Sequence, residues 1–456
     1  MNTIDWVIPL MFLSMAGVLT LGFPVGLTLM VHGVLFTLIG ALMDQFPLAM
    51  MQAHMIRMYG LLFYEVLLAI PFFTLMGLVL ERSGIAEDMI DALSNLLGGL
   101  RGGLALVVVV VGTVLAATTG VIQASIIAMG LAALPTMLRA GYNSRLSAGV
   151  VAASGTLAQI IPPSLVLIVM ADVTGVPIFR MYAHALVPGL VLAIVYVAYI
   201  LVIVKVKPGY APAPGHPPRL ADIRAAVRSL VTPMGIMLAT VGSVLTGFAT
   251  PTESGGFGAT ASLALALWRR RVSWSVLRGM VDSTTLISCS ALFIVVGATF
   301  FTLPFNAMDG KVWMGALFSH LPGGETGFLI ACALLVFFLA FFLDFFEIAF
   351  LALPLLMPVV VALGIDPAWF AVLICLVLQT SFMHPPFGVA IYTLRSVAPA
   401  CMRSEDIYWG AVPFIVFQML VALLVIFFPG LALDISPSSA STLHPDEVER
   451  VLRSLP

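Results

Sequence analysis

Two stretches of this 456-residue chain carry the same punctuation 223 residues apart. Pro135, Gly141, Pro162 and Pro163 recur as Pro358, Gly364, Pro385 and Pro386, each set inside strongly apolar sequence. A Pro-Pro pair within a hydrophobic span removes two backbone donors, which lipid tolerates only where protein or a water-filled cavity supplies other partners. Matching interruptions in two halves of a chain point to a transporter that binds its cargo at the interruptions.

Hydrophobic residues make up 61% of the chain and charged residues 9%, so the bilayer is its solvent and an all-α polytopic membrane protein is the expected fold class. The net charge of −2 leaves no nucleic-acid footprint. Lys205, Lys207 and Lys311 lie in no Walker-type glycine-rich context, which argues against ATP hydrolysis. Cys289, Cys332 and Cys375 fall within apolar spans, Cys401 falls just past one, and no two have metal-ligand spacing, so they read as packing residues. Asp5 and the lack of a basic residue before the first apolar run disfavour a cleaved signal peptide.

Apolar runs mark full spans at 6–21, 24–42, 61–80, 183–206, 232–249, 255–268, 284–303 and 411–433. Two further spans, 144–171 and 368–397, contain the Pro-Pro pairs and are expected as half-helices around an unwound middle, giving ten crossings. Segments 104–138 and 328–363 have arms of about 14 to 18 residues, roughly 21 to 27 Å of helix against roughly 30 Å of hydrocarbon. They read as re-entrant hairpins with tips at Thr118-Thr119-Gly120 and Asp344-Phe345-Phe346-Glu347. Two bent spans each is the plainer alternative.

The expected organisation is therefore scaffold helices at 1–60, a first repeat at 61–206, a cytoplasmic linker at 207–231, scaffold helices at 232–283, a second repeat at 284–433 and a polar tail at 434–456. The Pro- and Gly-rich stretch 208–218 reads as a solvent-exposed loop. Amphipathic stretches at 48–58, 86–97 and 272–281 read as interfacial arms or as ordinary loop helices. In the turn 250–254, Thr252 is a candidate cap for the following helix, with no transport chemistry assigned.

With ten crossings, one side of the membrane keeps only Arg57, Arg180, Lys311, Arg450 and Arg453 of the 20 basic residues. The other side is then the cytoplasm, and both termini should be periplasmic. Each repeat has three crossings, an odd number, so the two are inverted and bring both tips and both breaks toward the midplane.

Unwinding at 160–164 and 380–386 frees carbonyl oxygens, which suit a small hard cation such as sodium. Candidate cation ligands in the first half are Thr118, Thr119, Gly120 and Ser125 of the hairpin with Gly155, Thr156 and Pro162 of the broken helix. Those in the second half are Asp344, Glu347, Gln379, Thr380, Ser381 and Pro385. Exposed amides at half-helix N-termini favour an anion, so a carboxylate substrate fits between the breaks, with Gln123, Ser154, Ser164, His384 and Gly388 as its candidate contacts. Taken singly, each hydroxyl has a plainer role, bonded back to its own helix. Asp344, flanked by phenylalanines, needs an ion, a hydrogen-bond partner or a wet surface, and His384 either meets a carboxylate or satisfies freed carbonyls.

Ala69-Ile70-Pro71-Phe72-Phe73, Ser154-Gly155-Thr156-Leu157 leading into Ile160-Ile161-Pro162-Pro163-Ser164, Thr250-Pro251-Thr252-Glu253, and Gly364-Ile365-Asp366-Pro367 leading into Pro385-Pro386-Phe387-Gly388 stand in one order along nearly the whole chain. In these residues the chain resembles the large membrane subunit of tripartite ATP-independent periplasmic (TRAP) transporters. The resemblance implies a sodium-coupled importer of organic acids, fed by a soluble periplasmic binding protein and paired with a small four-helix membrane subunit. It also implies an elevator mechanism, with hairpins and broken helices moving against a scaffold. Residues 120–125, 343–347 and 379–382 are similar to a branch labelled for mannitol or chloroaromatic compounds, whose members are associated with 2-oxo acids and related monocarboxylates. Gly120-Val121 stands where many relatives have Gly-Ser, and His384 where many have Thr.

Three other readings remain at this level. A membrane-embedded enzyme would use Asp344 and Glu347, three apart on a helical face, but lacks a matching His or Ser pattern. A channel would need no binding protein and would saturate poorly. A stand-alone ion/carboxylate symporter would share the architecture without the soluble receptor.

Overall fold

The computed structural model describes residues 4–19, 21–45, 49, 51–62, 65–119, 122–213, 219–319, 322–341, 343, 345–385 and 388–432. Among these every regular element is helical. The first half contains α1 (Ile4–Leu19), α2 (Val25–Leu42), α3 (Met51–Leu62), α4 (Glu65–Arg82), α5 (Ile85–Leu97), α6 (Gly103–Thr119), α7 (Ile122–Arg139), α8 (Ser144–Thr156), α9 (Leu165–Thr174) and α10 (Ile178–Val206). The second contains α11 (Leu220–Leu245), α12 (Pro251–Trp268), α13 (Trp274–Ala307), α14 (Gly310–Ser319), α15 (Gly324–Leu339), α16 (Phe345–Glu347), α17 (Leu353–Ala362), α18 (Pro367–Leu378), α19 (Val389–Val397) and α20 (Ser404–Phe427).

The 223-residue offset of the prolines carries through the helices. It moves α7 onto 345–362, the bounds of α16, a five-residue π turn (Ile348–Ala352) and α17 taken together. It moves the start of α8 onto the start of α18, and the start of α3 onto the start of α13. The junctions repeat in detail. Gly141 (φ +82°) and Gly364 (φ +72°) close the preceding helices in the left-handed conformation that only glycine enters freely. The next N–H, of Tyr142 or Ile365, reaches back to Met137 or Val360 at 3.0 Å. Asn143 Oδ1 then accepts from the N–H groups of Arg145 and Leu146, and Asp366 Oδ1 from those of Ala368 and Trp369, capping α8 and α18 alike.

Packing is reciprocal as well. The closest long helix pairs are α2 on α13 and α4 on α12, and α12 and α13 stand at the offset positions of α2 and α4. Such exchange of partners is the signature of a two-fold relation. Small residues allow these crossings: a Cβ on Gly33 would sit 2.3 Å from Phe300 O, and one on Gly297 2.3 Å from Gly26 O. Ion pairs repeat the exchange, with Arg145 at the start of α8 meeting Asp406 on α20 (3.1 Å), and Arg180 on α10 meeting Asp366 at the start of α18 (2.7 Å).

The centre of the molecule is the broken pair. Residues 146–156 of α8 and 368–378 of α18 are buried on every side, which marks helices enclosed by protein rather than facing lipid. Outer helices expose Leu13, Leu35, Leu238, Phe257 and Leu286, apolar side chains that a bilayer accepts. Six described helices are long and apolar enough to cross a membrane, and α4 with α5, bent by 52°, forms a further candidate.

Four sequence expectations change. The stretch 272–281 is no separate arm but the first turns of the 34-residue α13, continuous with the span 284–303. Its polar residues face outward and Ser273 caps its start, so nothing stops the helix. Thr250, not Thr252, caps α12: its hydroxyl accepts from the Glu253 N–H while the Glu253 carboxylate accepts from the Thr250 N–H. Residues 208–213 are not a free loop, because Tyr210 O and buried Ala211 O accept from Asn143 N and Gly102 N. The helix expected at 232–249 begins twelve residues earlier, at Leu220. The amphipathic 86–97 does form a helix, α5, whose apolar face packs on α11 and α6.

Gly33→Ala should therefore cost about 1–3 kcal/mol by forcing α2 away from α13. Gly235→Ala, with open space around it, should cost nothing. Thermal unfolding midpoints of the detergent-purified variants check this, and equal midpoints would show that the crossing tolerates a methyl group.

Candidate functional site at the two helix breaks

α8 tightens after Thr156 into a 3₁₀ turn (Leu157–Gln159), unwinds through 160–164, and resumes as α9. The cause is chemical: Pro163 has no N–H to give the Gln159 carbonyl four residues back. Ser164 supplies the missing donor, its Oγ lying 2.6 Å from Gln159 O, and accepts from the Leu167 N–H as the cap of α9. The second break follows the same plan. α18 passes into a 3₁₀ turn (Gln379–Phe382), and α19 resumes behind Gly388, whose N–H donates to His384 O at 2.9 Å.

The breaks meet at one point. Gln379 Nε2 donates to Thr156 O at 3.2 Å, across 223 residues, so each of the pair is the other's counterpart under the repeat offset. Two repeat-equivalent residues touch only beside the axis that relates them. From α20, Gln418 Nε2 lies 3.1 Å from Thr156 Oγ1, 3.0 Å from Tyr196 OH on α10 and 3.5 Å from Met383 Sδ. Ser154, Thr156, Gln159, Gln379 and Gln418 are all buried, and Ser154 Oγ, Gln379 Oε1, Gln418 Oε1 and both side-chain polar atoms of Gln159 lack a hydrogen-bond partner. Buried oxygens without partners cost free energy that a cation would recover. The ligand atoms these residues offer are neutral oxygens, the kind that suits a hard cation.

The nominated residues divide. Thr156, Gln379, Thr380 and Ser381 converge at the break, although the hydroxyls of Thr156, Thr380 and Ser381 donate back to Ala153, Val377 and Leu378 of their own helices. Each still has lone pairs to offer. Gly155 provides close packing, since a Cβ there would meet Ile126 of α7 at 2.3 Å. Gly112 of α6 touches Ser154 in the same way, so both arms of the first hairpin are seated on the break. Ser125 is buried on α7, and Pro162 is buried while Pro385 is exposed. Ser164 is occupied as a cap. His384 is buried with both ring nitrogens unpartnered, stacked on Phe341 (4.0 Å between centroids) and edge-on to Phe337 (5.4 Å), both from the second hairpin. Gln123 is exposed on α7 and joins no described contact of the cluster. Gly120 and Asp344 lie outside the described residues, as do the side chains of Thr118, Thr119 and Glu347.

Gln418, Tyr196 and Gln159 belong to the site without having been singled out by sequence. A lone amide in the apolar run 411–433 was the available signal. Separately, a cavity of about 290 Å³ opens between α9, α13 and α17, with Asp172, Thr299, Thr302 and Asn306 among its apolar walls.

Residues 12–431 match the family described as Tripartite ATP-independent periplasmic transporter, DctM component. The chain is 28% identical over 428 residues to the ectoine TRAP transporter large permease protein TeaC of Halomonas elongata, covering 93% of this chain and 97% of that one. It is 26% identical over 369 residues to the C4-dicarboxylate TRAP transporter large permease protein DctM of Pseudomonas aeruginosa, covering 80% and 85%. Among solved structures, the YdaH transporter of Alcanivorax borkumensis, reported to have an unusual topology, is similar in fold with a TM-score of 0.55 at 13% identity, over 82% of this chain and 86% of that one.

Ser164→Ala should leave the Gln159 carbonyl and the Leu167 N–H unpaired in a buried break, at about 1–3 kcal/mol, whereas Ser164→Thr keeps the hydroxyl. A thermal midpoint for Ser164→Ala equal to that of the parent protein would mean that the hydroxyl is not what closes the break.

Proposed function

The chain belongs to the DctM-component family of tripartite ATP-independent periplasmic transporters, and from that premise we propose that it imports a small organic acid, coupled to sodium, as the large permease subunit. A soluble periplasmic binding protein delivers the acid, and a small four-helix membrane subunit completes the permease in the inner membrane. Two of the relatives named above carry ectoine and C4-dicarboxylates in their names, so the shared chemistry is a small carboxylate; within that class a 2-oxo acid or related monocarboxylate is the substrate we favour.

One observation carries the reading: Thr156 and Gln379, equivalent across the duplication, bond to each other between two unwound helices in a buried setting. Cation sites built from freed oxygens, next to half-helix N-termini that favour a carboxylate, fit such a place. The ion pairs support inverted repeats. Arg145 stands where the first broken helix begins and Arg180 stands beyond its end, yet the second broken helix begins beside Arg180. Opposite entry of the two broken helices follows, with both termini in the periplasm by the distribution of basic residues.

In the proposed cycle, the hairpins and broken helices move as one body against α1–α4 and α11–α13. The cavity between α13 and the α9–α17 edge leaves that boundary incompletely packed, which a sliding boundary needs. Binding of sodium offsets the charge of the acid, so each stabilises the other before the body moves.

Reconstitution with candidate binding proteins and the small subunit should give uptake of labelled 2-oxo acid that requires an inward sodium gradient. Thr380→Ala and Asp344→Ala should each raise the sodium concentration for half-maximal uptake about tenfold if one ligand oxygen is worth about 1.4 kcal/mol. Uptake without a sodium gradient would remove sodium coupling, uptake without any binding protein would favour a stand-alone symporter, and unchanged sodium dependence in both variants would remove these two residues from the site.

A further inference from the structure

Gln418 lies on α20, outside both breaks, yet its amide reaches both of them. Thr156 Oγ1 donates its own proton to Ala153 O at 2.9 Å, so toward Gln418 it can only accept, and that turns the Gln418 Nε2 inward. The Thr156 carbonyl likewise fixes the amide of Gln379, which must present Nε2 to it. One residue of the first break is thus gripped at two atoms by two amides, and the Gln418 amide also touches the second break at Met383 Sδ, 3.5 Å away. Both amide oxygens remain buried and unpartnered. A cation that took the place of an N–H at Thr156 would release an amide able to turn its oxygen toward the ion.

We propose that Gln418 is a positioning residue that joins the two breaks into one cooperative unit. By holding the Thr156 hydroxyl beside Met383, it fixes the Thr156 carbonyl against Gln379, so an ion that takes an oxygen at one break changes which oxygens the other offers. The inference rests on the reading that sodium binds at the breaks, and adds how the two halves communicate.

The test is a sodium titration of the purified full-length chain, with ionic strength held constant by choline chloride and the unfolding midpoint recorded at each step. The parent protein is expected to be stabilised by sodium with a Hill slope above one. Gln418→Met keeps the volume and removes the donor, so its slope should fall to about one and its half-saturating sodium rise several-fold. Tyr196→Phe leaves Gln418 in place but takes away one acceptor that orients it; it should shift both quantities in the same direction by less, and it stands in if Gln418→Met does not fold.

A lower unfolding midpoint in choline with an unchanged sodium slope would mean that Gln418 is only structural and would overturn the proposal, as would parent-like titrations of both variants. A parent protein that does not respond to sodium would instead overturn the sodium reading, and this inference with it.

Discussion

Everything distinctive about this structure follows from proline's missing N–H in a place where water cannot replace it. Pro162 and Pro163 stand in an unwound stretch of chain that is buried throughout, so the carbonyls they leave behind need partners from the protein itself. Ser164 answers for Gln159, and the tightened 3₁₀ turns draw the chain in so that other carbonyls find donors nearby. The Thr156 carbonyl and hydroxyl, just ahead of the break, take their partners from a distance, from Gln379 and Gln418. A polar centre inside an apolar protein thus lies where the two proline-interrupted helices meet.

Duplication explains where that centre lies. Helix by helix the second half repeats the first, down to the glycine that ends one helix and the Asn or Asp that caps the next. Two broken helices that pack against each other across a two-fold axis bring equivalent residues together beside it, and Thr156 with Gln379 is that place. The repeats are not identical, however. Thr156 offers a hydroxyl and a carbonyl, while its counterpart offers an amide, so a symmetric backbone carries an asymmetric set of ligands. His384, packed against Phe337 and Phe341, stands where the first half has Ile161, a second such difference.

Local chemistry was legible from sequence. Pro-Pro pairs, glycine stops and apolar run lengths locate both breaks and the bounds of α6, α7 and α17 to within a few residues, because each signal acts on its own stretch of chain. Where signals compete, the outcome is less legible. Asp282 and Ser283 interrupt an apolar run and read as a boundary, yet Asp282 is exposed and the half-buried Ser283 donates its hydroxyl to Gly279 O, so neither stops the helix and α13 runs through them. Thr250 and Thr252 are both plausible caps by type, and only the position of Glu253 three residues after Thr250 decides between them. The network itself was out of reach: Gln418 stands out as a lone amide in an apolar run, but nothing local says that it meets Thr156 and Tyr196 across 262 and 222 residues.

The unbroken α13 has one more consequence. Thirty-four residues of helix are about 51 Å long, against about 30 Å of hydrocarbon. The rod must lean, or carry its first turns, with Arg278 and Asp282 fully outward, into the headgroup layer. Bilayer thickness then becomes a quantity this protein registers: a thicker leaflet pulls a charged pair toward oil, a thinner one frees it, and tilt of the rod is the natural response. Since α13 packs along α2 and α4 and borders the cavity beside α9, the lipid environment has a mechanical handle on the interior.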